Sequence, residues 1–471
     1  MAKYEGFMPE FLTSTTNRSY RSFYKWGDET KFYKPSNRSN IYAYMRDALE
    51  LDDEFFKTPN YADTEVSIAK DTMALLNRDI DAIRGIVGDA NVSINIDDRI
   101  EASITKSHEE VRAMHNRVLP RLVDAVVFPS LSSEIAEILE YARGHNITCV
   151  TKSTLIPKYL GNKTIAIDLT RHYNKIVEFN EVDQYVKVEA GMHLLILENI
   201  MRNAPDNFKD YNVTNRYTIG HFPLEAEECT LYDADNGIRY GLEAGYFGTF
   251  DEIVKSREYI MPDGKVVNEY EDGAVLSTLT LSLTRYYEHN NYGFSYMFPS
   301  FQEGVNAMRE IFSRAGAVPQ NIKLSDPNET SMLMRYYLLD DSIIDGYLKG
   351  RKVVDGERCL MVGYTGGPYT ASRLAYNTTK RIVKKYKGIS LTSILADAYV
   401  ESRYTEMYAR EAMADFDIDT ESEYHACQWS ELPIVHASSM EHGAHEYVRS
   451  RVICPSENGA VLEIVRNSVK K

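Results

Sequence analysis

Between residues 124 and 192 short apolar runs alternate with one amphipathic stretch, and this pattern most narrows the folds open to the chain. Asp124-Ala125-Val126-Val127-Phe128 is a strand-forming run stopped by Pro129, and residues 133–143 then have helical spacing. Ser132 or Ser133 is the expected N-cap of that helix. Thr148-Cys149-Val150, residues 164–170, Ile176-Val177-Glu178-Phe179 and Val188-Glu189-Ala190-Gly191-Met192 read as further strands, with apolar and polar positions alternating. Mixed strands and helix in this order predict an α+β domain.

The flanking regions differ in character. Residues 1–117 are polar and mostly helical in pattern, with Ile68, Met73, Leu75, Leu76, Ile80 and Ile83 predicting one helix over 67–87. Tyr259 to Val266 reads as a hairpin around a Pro262-Asp263-Gly264 turn, with a strand after it over 277–284. Ser300 is placed to cap a helix, with Glu303 completing a capping box. Gly363-Tyr364-Thr365-Gly366-Gly367-Pro368 is read either as a turn into a helix beginning near Thr370 or as a phosphate cradle.

Composition excludes several classes. At 471 residues the chain has room for two or three domains, and 44% hydrophobic with 26% charged residues is ordinary for a globular protein. A net charge of −16 argues against a nucleic-acid surface and against anionic membranes. No apolar run approaches the ~20 residues of a membrane span, and the first residues lack the basic and apolar regions of a signal peptide. Five cysteines (Cys149, Cys229, Cys359, Cys427, Cys454) without a C-x-x-C pair predict a reduced, cytoplasmic protein. The 34 tyrosines against 17 phenylalanines fit either an interface or ordinary core and surface use. No P-loop, G-x-G-x-x-G, nucleophile elbow or H-E-x-x-H is present.

Residues 220–254 carry a further signature. Gly220, His221, Phe222, Pro223, Glu227, Thr230, Gly241, Gly248 and Val254 share the frame of a flavin-binding segment. That segment resembles the one in FAD-dependent proteins of the alkyl-dihydroxyacetone-phosphate synthase type, within the group with a PCMH-type (vanillyl-alcohol-oxidase-like) FAD domain. The resemblance extends to Tyr24-Lys25-Trp26-Gly27, to the strand and helix after Asp124, and to Phe298-Pro299-Ser300-Phe301-Gln302-Glu303-Gly304-Val305. Ile322-Lys323-Leu324-Ser325-Asp326, Tyr408-Ala409-Arg410-Glu411 and His442-Gly443-Ala444-His445-Glu446-Tyr447 also match family motifs. It implies a PCMH-type FAD-binding fold of two α+β lobes with a ferredoxin-like α+β cap and a helical N-terminal region. The implied boundaries are 1–117 for the helical region, 118–270 for the FAD-type domain and 275–471 for a cap shorter than the family's. Carried over position by position, Pro223, Thr230, Gly237, Gly248 and Lys152 fall at cofactor positions, and Arg410, Lys323, His442 and His445 at substrate positions. No catalytic residue is identified, and no metal is expected.

The departures from the family are chemical. Its glycine-rich turn after the strand at 148–150 is here Thr151-Lys152-Ser153-Thr154-Leu155-Ile156-Pro157-Lys158, with lysines that could neutralise a phosphate but no glycine before Gly161. Its paired glycines and Trp are Tyr232, Asp233 and Ala234, and its Thr-Arg is Gly237-Ile238. A third loop that the family places after the hairpin is missing, and Lys471 is reached before any histidine triplet. Glycines let a backbone approach a diphosphate, and their bare N–H groups form an anion nest. Tyr232 and Asp233 add bulk and negative charge there, with repulsion on the order of 4 kcal/mol per charge pair at ~4 Å.

FAD is therefore expected to bind weakly or not at all, and the chain to be a pseudoenzyme serving as scaffold, regulatory or assembly subunit in a homo- or hetero-oligomer, with no nucleic-acid partner. The alternative is an active, divergent FAD-dependent oxidoreductase or alkyl transferase on a phosphate-bearing substrate, completed by a partner chain. A third reading takes the cap as an anion- or metal-binding unit. Arg410 is an anion-binding side chain or the ion-pair partner of Glu406. Lys323 keeps a charge without the bidentate fork of arginine, or is a solvated strand-end lysine. His425, His436, His442 and His445 cluster in sequence, and His442 and His445 would share one face of a helix.

Overall fold

The computed structural model describes residues 39–56, 67–68, 73–105, 107–116, 118–119, 121–153, 159–209, 213–219, 229–239, 253–313, 317–340, 342–391, 395–397 and 413–469. They form two compact units, one of residues 67–239 and 253–285, the other of residues 39–56 and 286–469. The N-terminal region is shared between them. Helix α1 (Ser39–Ala48) belongs to the second unit, whereas α2 (Asn77–Val87) belongs to the first. The single helix expected over 67–87 starts only at Asn77, because Leu76 is extended (φ −80, ψ 150) and Ser67–Ile68 is a strand.

The first unit continues with β1 (Val92–Ser93), α3 (Ile96–Ser103), α4 (His108–His115), β2 (Ala125–Val127), α5 (Ser132–Gly144), β3 (Thr148–Thr151) and β4 (Thr164–Ile167). The four strands form one sheet in the order β1-β2-β4-β3, with β2, β4 and β3 parallel. Every residue of β2 and β4 is buried, as parallel strands covered on both faces require. Asp124 ties the start of β4 to the segment before α2: its carboxylate accepts the Ala74 and Thr164 amides, each at 3.0 Å. Helix α5 is capped differently from the expectation. Leu131 holds the cap position and Ser132 is already helical, while Glu134 accepts the Ser130 amide (2.6 Å) and hydroxyl (3.0 Å) and the Leu131 amide (3.1 Å).

A five-stranded antiparallel sheet completes this unit. Its strands are β5 (Ile176–Asn180), β6 (Tyr185–Glu189), β7 (Val254–Ile260), β8 (Val266–Val267) and β9 (Val275–Ser282), in the order β8-β7-β9-β6-β5. The helices α6 (Leu194–Arg202) and α7 (Leu231–Arg239) lie in sequence between β6 and β7. The Pro262-Asp263-Gly264 turn closes the β7–β8 hairpin, with Gly264 at φ +79. Strand β9 pairs with β6 and β7. That pairing carries the first unit to Arg285, where the sequence alone divides the chain at 270–275.

The second unit is built on β10 (Tyr292–Phe298), α8 (Phe301–Ser313), β11 (Asn321–Ser325), α9 (Pro327–Tyr336), β12 (Cys359–Thr365), α10 (Tyr369–Lys385), β13 (Ile389–Ser390), β14 (Asp419–Gln428), α11 (Leu432–Ser439), β15 (Glu446–Ile453) and β16 (Gly459–Ser468). Seven antiparallel strands run β13-β10-β12-β11-β15-β16-β14. On one face Phe294, Tyr296 and Phe298 pack with Met308 of α8, Ile382 of α10 and Leu432 of α11. Elsewhere α1 contributes Ile41, Tyr42 and Met45, and the turn after it Leu49, to a cluster with Met332, Tyr336 and Phe416. The Ser300 hydroxyl accepts the Glu303 amide at 3.4 Å as expected, but the Glu303 carboxylate goes to Lys387 at 2.6 Å. Gly363 to Thr365 end β12, and Gly366-Gly367-Pro368, with Gly367 at φ +100, turn the chain into α10.

Charges are buried among the strands of this sheet. Arg449 pairs with Glu329, and Arg451 with Glu463, the second contact including Nη2 to Oε1 at 3.0 Å. Burial opposes ionisation of Glu329, and Arg449 and Arg451 outweigh it, holding its carboxyl below the ordinary range.

Two substitutions test this architecture. A Cβ at Gly191 would lie 2.2 Å from the Leu169 carbonyl oxygen and 2.6 Å from that of Tyr173, so Gly191→Ala should lose about 1–3 kcal/mol in denaturant unfolding. Unchanged stability would show that the β6–α6 connection yields freely. Arg449→Ala leaves Glu329 buried beside the more distant Arg451 (3.8 Å) and should lose about 3 kcal/mol. A loss below about 1 kcal/mol would mean the pair is solvated.

Candidate functional site

The two segments assigned to the cofactor meet in the first unit around the N-terminus of α7. Residues 190–194 run antiparallel to residues 229–232, through a bridge between His193 and Thr230 and a Leu194 amide to Cys229 carbonyl bond of 2.9 Å. The first amides of a helix have no partners within it and must find acceptors elsewhere. Here the Leu231 amide donates to the Met192 carbonyl and the Tyr232 amide to the Ala190 carbonyl, both at 3.0 Å. The Asp233 amide donates to the Thr230 hydroxyl oxygen at 3.1 Å, and the Ala234 amide to the Thr230 carbonyl at 3.2 Å. Asp233 returns the contact: its Oδ2 accepts the Thr230 amide (3.0 Å) and hydroxyl (2.8 Å). This reciprocal arrangement is a capping box with Asp at its third position.

Asp233 also reaches the other segment. Its Oδ1 accepts the Ser153 hydroxyl at 2.8 Å, and both side chains are buried. Asp235, two residues on and also buried, accepts from Arg257 Nε at 2.5 Å and from the Tyr259 hydroxyl at 3.0 Å. The glycine positions of the resemblance thus belong to a helix with a buried acidic side, not to an open loop.

Lys152 is committed as well. Its Nζ lies 2.8 Å from Glu101 and 3.3 Å from Asp168. Asp168 is buried and accepts the Thr170 amide at 2.8 Å and hydroxyl at 2.5 Å. Burial raises its carboxyl, and Lys152 with the Thr170 donors overcomes this, leaving it below the usual carboxylate range.

The remaining predicted positions fall elsewhere. Gly237 is inside α7. Pro223, Gly248 and Arg410 lie outside the described residues. Between Val267 and Val275 the chain makes a turn in which the Ala274 amide donates to the Glu271 carbonyl, and no larger loop intervenes. Lys323 is in β11 and 5% exposed, so it is not a solvated strand-end lysine. His442 is exposed, with Nδ1 3.2 Å from the Gly443 carbonyl, and His445 bonds the Leu49 carbonyl at 2.9 Å from a left-handed backbone (φ +59). The helix expected to bring these two onto one face does not form, since 441–445 is turn and irregular structure. His425 sits on β14 beside Glu423, and His436 in α11, 3.4 Å from Asp326. Among the described residues no group of three or more His, Cys, Asp or Glu gathers as metal ligands do. A cavity of about 480 Å³ lies between β14 and α11; His425 lines it, and none of the residues assigned to cofactor or substrate does.

The residues that sequence reasoning missed are Arg449, Arg451 and Glu463. Their signal was the alternation Val448-Arg449-Ser450-Arg451-Val452, which puts both arginines on one side of a strand. The amides from Thr230 to Ala234 all have protein acceptors, a buried carboxylate sits among them, and Lys152 is already paired.

Comparison with known proteins places the architecture. A family model described as an FAD binding domain matches residues 123–269. The alkyldihydroxyacetonephosphate synthase of Caenorhabditis elegans is 23% identical over 262 residues, a match spanning 50% of this chain and 41% of that protein. A solved structure of alkyldihydroxyacetonephosphate synthase superposes with a TM-score of 0.78 at 16% identity, covering 97% of this chain and 92% of that one. A structure of p-cresol methylhydroxylase with bound substrate gives 0.54 at 12% identity, over 84% and 82%. Residues 123–269 thus match an FAD binding domain family, and the fold is that of the PCMH-type, vanillyl-alcohol-oxidase-like FAD-binding proteins.

Proposed function

We propose that this chain is a catalytically inactive relative of the FAD-linked oxidases and alkyldihydroxyacetonephosphate synthases, acting as a scaffold, regulatory or assembly subunit. One observation carries the reading: the carboxylate of Asp233 accepts the Thr230 amide and hydroxyl at the start of α7 and the Ser153 hydroxyl. An external diphosphate at this place would have to displace a buried anion and break bonds that hold two segments together. Two charges of like sign ~4 Å apart repel by about 4 kcal/mol in a partly buried site. The pairing of Lys152 with Glu101 and Asp168 works in the same direction, since it withdraws the cation assigned to the cofactor. In the second unit the lysine at the substrate position is buried, and it stabilises the charged form of Glu329 rather than facing solvent.

Purified full-length protein, incubated with excess FAD and desalted, should show no flavin absorbance in the visible range, and sizing should find it in an assembly. A stoichiometric flavin band would overturn the reading in favour of a divergent flavoenzyme. Lys152→Met tests whether this lysine serves the fold. The ionised form of Asp168 is favoured by folding, so its contribution is present above the unfolded carboxylate pKa of ~3.9 and fades as pH falls through the lower folded value. The variant should lose about 3 kcal/mol near neutrality, and its deficit should narrow as the pH is lowered below ~4. A deficit independent of pH would exclude the Lys152–Asp168 pair as its source.

A further inference from the structure

We propose that Asp233 is an internal replacement for the cofactor's anionic group: its carboxylate satisfies the α7 N-terminus and ties it to Ser153, so that the first unit completes its fold without a dinucleotide. The proposal rests on the reading of the chain as a protein that does not hold FAD, and it adds what took the cofactor's structural place. A helix N-terminus concentrates donors and a partial positive charge, which an anion of either kind can satisfy. Asp233 does so from within the helix. Oδ2 accepts the Thr230 amide and hydroxyl, and Oδ1 crosses to the Ser153 hydroxyl on the segment that follows β3. The helix starts with two further amides held by the Met192 and Ala190 carbonyls, and Asp235 is anchored by Arg257 and Tyr259. These neighbours hold α7 in place when Asp233 alone is changed. Removing its carboxylate therefore opens a donor-lined gap rather than melting the unit. The gap would have the Thr230 amide and hydroxyl and the Ser153 hydroxyl around it, a set suited to one phosphate group.

The test is thermal unfolding of the whole chain and of Asp233→Gly, each in inorganic pyrophosphate and in sodium chloride of matched ionic strength. Asp233→Gly should melt roughly 5 °C below the parent in chloride, the size expected when a helix loses its cap and a cross-link. Pyrophosphate should restore much of that shift in the variant and leave the parent unchanged. Equal responses of the two proteins, or a variant that melts like the parent, would overturn the proposal. Should Asp233→Gly not fold in chloride, refolding in pyrophosphate decides: native protein recovered only with the anion supports the proposal, and none recovered sinks it. Ser153→Ala, which cuts the cross-link and keeps the capping box, should lose part of the shift and gain nothing from pyrophosphate. A parent that carries FAD would defeat the functional reading itself. A colourless parent with an anion-indifferent variant would defeat only the role given to Asp233.

Discussion

The backbone amides at the start of α7 must be accepted by something, and the first unit is arranged around how this chain accepts them. Each orphan buried donor costs about 1–3 kcal/mol, so a helix begun in the protein interior cannot leave several bare. A bound cofactor can meet that demand and stabilise its host in proportion to its affinity, about 4 kcal/mol when present at a thousand times its dissociation constant. Losing such a ligand would threaten a domain whose net stability is only 5–15 kcal/mol. The Asp233 capping box and its bond to Ser153 contribute about 1–2 kcal/mol each by the usual values for caps and charged hydrogen bonds. The two sums are of the same order, so a side chain of this kind can keep the fold intact after the ligand is gone.

This changes what the sequence pattern at 230–233 means. Read as a loop, Tyr232 and Asp233 are obstacles: bulk and charge where glycines would be. Read as a helix start, Thr230-Leu231-Tyr232-Asp233 is a capping box. The second meaning was present in the four residues, but choosing it required knowing that the chain turns helical there. The antiparallel contact between residues 190–194 and 229–232 decides that, and it is long-range. Lys152 shows the same limit from the other side. It looks like an available cation in the sequence, and its partners Glu101 and Asp168 become visible only when α3, β3 and β4 are brought together.

Local chemistry carried the rest of the fold well where it was sufficient. The strands at 125–127, 148–151, 164–167 and 176–180 follow from β-branched and apolar runs, and Gly264 with Asp263 fixes the hairpin turn. It failed where two periods compete. The apolar residues from Ile68 to Ile83 fit a helix, yet Leu76 stays extended and the helix begins after it. His442 and His445 have helical spacing, but His445 takes a left-handed conformation that ends in β15, and its ring is held by the Leu49 carbonyl. The boundary at Arg285 was hidden for a different reason. Nothing local distinguishes β9 as the end of one unit from β9 as the start of the next, and only its pairing with β6 and β7 does so.

The second unit resolves its charges by the same economy as the first. Among the described residues, Lys323, Arg449 and Arg451 lie with Glu329, Glu463 and Asp326 on or beside β11, β15 and β16, three cations with three carboxylates. Asp326 is bound by the Ser450 amide and hydroxyl and by the Glu329 amide, and burial pushes its carboxyl up. A balanced set of this kind offers an incoming anion little net attraction, because each guanidinium it would need already faces a carboxylate. Buried ion pairs add little net stability over apolar packing but penalise any strand shift that separates the partners. In a sheet of seven antiparallel strands, where a one-residue slip would turn Arg449 and Arg451 onto the apolar face with Val448 and Val452, that penalty fixes the register. Charged side chains in both units therefore do architectural work at positions where the family resemblance leads one to expect ligand contacts.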